Sequence, residues 1–173
     1  MRLAVLFFLA LSAGSALAES SLATVNNLTA LILQGPELHP SLKTRGLELG
    51  TLRHVPHGVV TQNPQHSTGA EFIEAIARSG TQGKFSGEGI RSALYALYLG
   101  DNELGFYGLE AVSEADANRW EGILHSTWSH NKRLGRARVH RRGLVLVVVW
   151  MDGESPEVWK AVNSVVGNRL IAP

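Results

Sequence analysis

Two groups of side chains in this 173-residue chain have the types and spacing for chemistry. The first is basic. Lys132, Arg133, Arg136, Arg138, Arg141 and Arg142 fall within eleven residues, bordered by His130 and His140. They are six of the chain's 16 Lys and Arg residues. Guanidinium groups at this density suit a phosphate, a lipid headgroup or an acidic protein, because each offers paired donors and a fixed positive charge. From Arg136 to His140 the order is Arg-Ala-Arg-Val-His. On a strand, Arg136, Arg138 and His140 then share one face with Arg142, while Ala137 and Val139 point to the other. These four residues are the expected binding site for an anionic ligand or an envelope protein partner. The competing expectation is a solvated strand edge whose charges discourage edge pairing. Asp101, Glu103, Glu110, Glu114, Asp116 and Glu121 lie just upstream and could neutralise it. No aromatic residue interleaves the basic ones, so the stacking platform of single-stranded nucleic-acid binding is missing and nucleic acid is not the expected partner.

The second group is histidine. Of seven in the chain, His54, His57 and His66 lie close together in a proline-interrupted stretch. Neutral imidazoles on loops can converge on zinc or copper. They support an alternative reading as a small metal-dependent enzyme or metal-handling protein, with Glu48 as a nearby carboxylate. Pro56 argues against a helical presentation of the His54/His57 pair. His125 and His130 are five apart and do not share a helix face well.

Other chemistry is poorly supplied. The chain has no cysteine, which excludes disulfides, thiolate catalysis and Cys-ligated metals. There is no G-x-S-x-G nucleophile turn. Gly83-Lys-Phe-Ser-Gly-Glu-Gly89 is glycine-rich but lacks the Gly-Lys-Ser/Thr order of a phosphate-binding loop and reads as a flexible connection. Glu71 and Glu74 fall on one helical face, where solvation is commoner than proton transfer. No cofactor is expected outside the histidine alternative. The residues favour a non-catalytic binding or accessory module and do not decide against an enzyme.

The N-terminus addresses location. Arg2, the apolar Leu3 to Leu11 and Ala16-Leu17-Ala18 before Glu19 have the layout of a secretory leader with its cleavage site. Residues 1–18 are therefore read as a signal peptide and the mature chain as periplasmic or secreted. The absence of cysteine suits a periplasm better than a disulfide-rich exterior. No transmembrane segment is expected after cleavage.

These side chains need elements to position them. Leu144 to Trp150 is seven apolar residues, mostly β-branched, too short for a membrane helix and suited to a central strand buried on both faces. A turn near Arg141-Arg142-Gly143 joins it antiparallel to the basic strand. Ser155-Pro156-Glu157 starts a helix running to about Leu170, with Val158, Ala161, Val162, Val165 and Val166 as its apolar stripe. Ser113 caps a second helix carrying Ala117, Trp120, Ile123 and Leu124. Leu104 to Val112 is a further strand candidate, so the order from Leu104 is β-α-β-β-α. All four tryptophans lie in this half and suggest an aromatic layer between sheet and helices.

Upstream, Thr68-x-x-Glu71 reads as a capping box for a short helix. Ile90, Leu94, Leu97 and Tyr98 are spaced for another, which would make an αα-hairpin. Leu47 to Val55 suggests a weak strand, and Leu22, Val25, Leu28 and Leu31 an N-terminal helix. The fold class expected is α+β: a small, mainly antiparallel sheet with amphipathic helices. Residues 19–67 form an N-terminal helix and irregular segment, and 68–173 the main portion of a single domain.

Overall fold

In the computed structural model the described residues are 28–33, 40, 43–44, 59–99, 103–129, 136–153 and 155–171. The fold is α+β. In chain order it runs β1 (Lys43–Thr44), β2 (Gln65–Ser67), α1 (Ala70–Gly80), β3 (Ile90–Leu99), β4 (Glu103–Ala111), α2 (Glu114–Ser129), β5 (Arg136–Arg142), β6 (Val145–Asp152) and α3 (Pro156–Ile171).

The strands form one antiparallel sheet in the order β1-β3-β4-β6-β5. β2 shares the outer edge of β3 with β1, pairing at Ala93 to Tyr95 while β1 pairs at Tyr98 and Leu99. The valine-rich run expected as the central strand is β6, which lies one strand in from the β5 edge. The middle of the sheet is β4. Both are buried along nearly their whole length.

Alternation sorts the sheet into two cores. Tyr95, Leu97, Tyr107, Leu109, Leu146, Val148 and Trp150 face α1 and α2, meeting Phe72, Ile76, Trp120 and Leu124. Leu94, Tyr98, Phe106, Val147, Val149 and Met151 face the other way, under Leu28, Leu31, Leu33 and the valine stripe of α3. The result is three layers, helix on sheet on helix, with each large apolar side chain contributing about 1.5–3 kcal/mol on burial. Two glycines of β4 make close packing possible. A Cβ on Gly105 would sit 2.3 Å from the Trp150 indole, and one on Gly108 would sit 2.8 Å from Leu28.

The helix starts follow their caps. Ser113 Oγ accepts from the Asp116 amide at 3.1 Å and donates to its carboxylate at 2.6 Å, closing the box that opens α2. Ser155 Oγ takes the Val158 amide at 3.4 Å ahead of Pro156. At α1 the expected capping box is absent: Gly69 occupies the cap position with no side-chain bond.

One expectation is overturned. Residues 90–99 are strand β3, so there is no αα-hairpin; α1 leads through the glycine-rich loop into the sheet. A strand buried on both faces is apolar at almost every position, and such a run contains helical spacing by coincidence. The proposed strand at 47–55 and residues 20–27 of the N-terminal helix lie outside the described residues; Leu28 and Leu31 of that helix's apolar stripe are fully buried.

Candidate functional site: the β5 edge

β5 holds Arg136, Arg138, Arg141 and Arg142 on the last described strand of the sheet; His130, Lys132 and Arg133 lie outside the described residues. Gly143, at φ +52°, turns the chain back into β6, and the pairing runs from Arg142 opposite Val145 to Arg136 opposite Met151. Alternation then divides the arginines by face, with different outcomes.

Arg141 lies on the α2 side, with Ala137 and Val139. Its guanidinium donates to Glu114 at 2.6 Å, Glu121 at 2.7 Å and Asn118 at 2.6 Å, all on α2. The bond it donates to Glu121, aided by the charges of Glu121 and Glu114, holds it still more firmly protonated than an ordinary arginine. This side chain ties β5 to α2. Two of the upstream acids are thereby occupied. Two more go elsewhere: Glu110 to Arg91 at 3.2 Å, and Asp116 to Arg119 at 3.2 Å.

Arg136, Arg138, His140 and Arg142 line the opposite face. His140 is half-buried, and its Nε2 is 2.9 Å from Asn163 Oδ1 on α3. Asn163 Nδ2 in turn donates to the Trp159 carbonyl, so the imidazole is held from α3 through a fixed amide. Burial pushes the His140 pKa down; the Asn163 bond opposes this and the Arg138 charge adds to it. His140 is therefore part of the seam between β5 and α3. Arg142 is exposed at the turn end of the strand. Arg136 is half-buried and Arg138 exposed, and neither side chain has a hydrogen bond or ion pair among the described residues. The two guanidiniums thus stand on one face of an edge strand, with their donors open to an incoming anion.

The histidine alternative is only partly within view. His54 and His57 lie outside the described residues. His66 sits on β2 opposite Leu94, and its Nε2 is buried with no hydrogen-bond partner among the described residues. Burial lowers its pKa, against the charge of Glu110. Among the described residues no group of three His, Asp or Glu side chains is placed to hold a metal ion.

Sequence reasoning missed the polar row at the other end of this face. Ser92, Glu110, Val145 and Arg142 are successive partners across β3, β4, β6 and β5. Glu110 is fully buried, accepting from Ser92 Oγ at 2.8 Å and from Arg91. A lone acid inside the apolar run from Leu104 to Val112 was the available signal. Of the Glu71 and Glu74 pair, Glu74 accepts from the Gly87 amide at 2.7 Å and pairs with Arg78, pinning the glycine-rich loop. No helix among the described residues is long and apolar enough to cross a membrane. Comparison with known proteins finds no matching family model, no matching curated protein and no matching solved structure.

Proposed function

We propose that this chain is an exported, non-catalytic binding module that holds an anionic partner at the β5 edge through Arg136 and Arg138, with Arg142 at the turn. The observation that carries the reading is the contrast between Arg141, which three α2 side chains satisfy, and Arg136 and Arg138 on the opposite face, which no acid among the described residues meets. Four of the upstream acids, Glu110, Glu114, Asp116 and Glu121, are used on Arg91, Arg141 and Arg119. Export is supported by the Arg2, Leu3 to Leu11 and Ala16-Leu17-Ala18 pattern.

The test uses labelled poly-glutamate as the anionic probe, with fluorescence anisotropy read at about 0.02 M and about 0.2 M salt. The R136A/R138A variant is expected to bind about tenfold more weakly at low salt and to lose most of the salt dependence. Unchanged affinity and salt dependence would refute the proposal. A second reading, metal handling, is favoured by the buried Nε2 of His66, which has no partner among the described residues. It predicts one equivalent of zinc or copper in the full chain, lost in H66A; metal-free protein after dialysis against either ion would dismiss it.

A further inference from the structure

We infer that the partner is an extended acidic segment of another protein, which adds a strand to the outer edge of β5. The inference rests on the anion-binding reading above and specifies what that site selects. β5 ends the strand order, with β6 along one edge from Arg136 to Arg142 and no described strand along the other. An edge strand presents backbone N–H and C=O groups from alternate residues, and a second extended chain can satisfy them. α2 and α3 each pack against β5 from their own side of the sheet, so an added strand would continue a supported layer.

Charge chooses among occupants. A neutral strand would bring apolar surface beside guanidiniums without compensating them, which is how basic edges resist aggregation. A second copy is worse. An antiparallel β5 pair centred on Val139 sets Arg136 opposite Arg142, like charges whose direct opposition is destabilising, and sets Arg138 opposite His140, which offers it no negative charge. An acidic strand reverses the sign. Residues directly opposite in antiparallel strands share a face, so carboxylates fall beside Arg136 and Arg138 while the residues opposite Ala137 and Val139 lie toward the apolar α2 side. The site therefore selects alternation, acid then apolar, over about five residues. A free phosphate or headgroup would need the guanidiniums alone and gain nothing from an extended backbone.

The experiment titrates the chain with three seven-residue peptides, capped at both ends: Glu-Val-Glu-Val-Glu-Val-Glu, the same peptide N-methylated at its three central residues, and the isomer Glu-Glu-Glu-Val-Val-Val-Glu. The alternating peptide is expected to bind best. N-methylation and reordering should each weaken it about tenfold, since both remove ladder bonds or cross-strand pairs. R138E should lose the Glu peptide and gain the corresponding Lys-Val-Lys-Val-Lys-Val-Lys peptide. If all three Glu peptides bind alike and all depend on Arg136 and Arg138, strand addition is overturned while anion binding stands. If R136A/R138A changes none of them, the anion-binding reading itself falls. A dimer by sedimentation that R138E disrupts would assign the edge to a second copy and overturn the acidic partner.

Discussion

Glu110 illustrates how individual side chains are accounted for in this fold. It is a carboxyl with no exposure, and Ser92 and Arg91 are the donors that make its burial tolerable. Arg91 remains partly exposed, so the pair reaches solvent on one side only. Removing Arg91 leaves the buried carboxylate without a counter-charge and with Ser92 as its remaining donor, and R91A is expected to cost about 3 kcal/mol in urea unfolding. E110Q, whose amide oxygen can accept from Arg91 while its NH2 donates to Ser92 Oγ, should cost less. The histidines set the pH response. Burial lowers the pKa of both His66 and His140 below their ordinary value of 6.5. Between the folded and ordinary values, the unfolded chain binds protons that the folded chain does not, so stability rises with pH there. Stability should thus be full above pH 6.5 and fall as the pH drops through the lowered folded values. Urea midpoints measured between about pH 7.5 and about pH 5 check this, and the H66Q/H140Q variant should flatten the slope.

At the scale of elements, the sequence was most legible where one local rule dominated. Ser113 with Asp116, Ser155 with Pro156, and the alternating Arg136 to His140 each specify their own geometry, and α2, α3 and β5 form where expected. β3 was misread because its residues are buried on both faces, leaving no solvent face to reveal the period. The partition of the arginines was only half visible. Alternation placed Arg141 apart from Arg136 and Arg138, but which acids would reach it depended on how α2 crosses the sheet. Asn163, Ser92 and Glu110 acquire their roles only through long-range register. Close packing of elements gives its own prediction. G105A drives a methyl into the Trp150 indole and should cost about 2–3 kcal/mol. In G105A/W150L the indole is gone, so the two effects should combine non-additively in thermal or urea unfolding.

For the whole molecule, two cores lie on opposite faces of one sheet, and β5 is the edge of that sheet among the described strands. The second core also joins distant parts of the chain. Arg169 donates to the carbonyls of Ala30 and Ile32, and the Leu33 amide donates to Tyr98 Oη at 3.0 Å. Net charge would contribute little to the proposed binding, since the full chain carries only +1. The proposal rests on where the positive charges stand. The deciding measurement is therefore the affinity of labelled poly-glutamate at low salt for three proteins: the parent chain, R136A/R138A, and K84A/K160A, which removes two exposed positive charges elsewhere. The account predicts about a tenfold loss for the β5 pair and near-parental binding for the lysine pair. Equal losses in the two variants, or none in either, would contradict it.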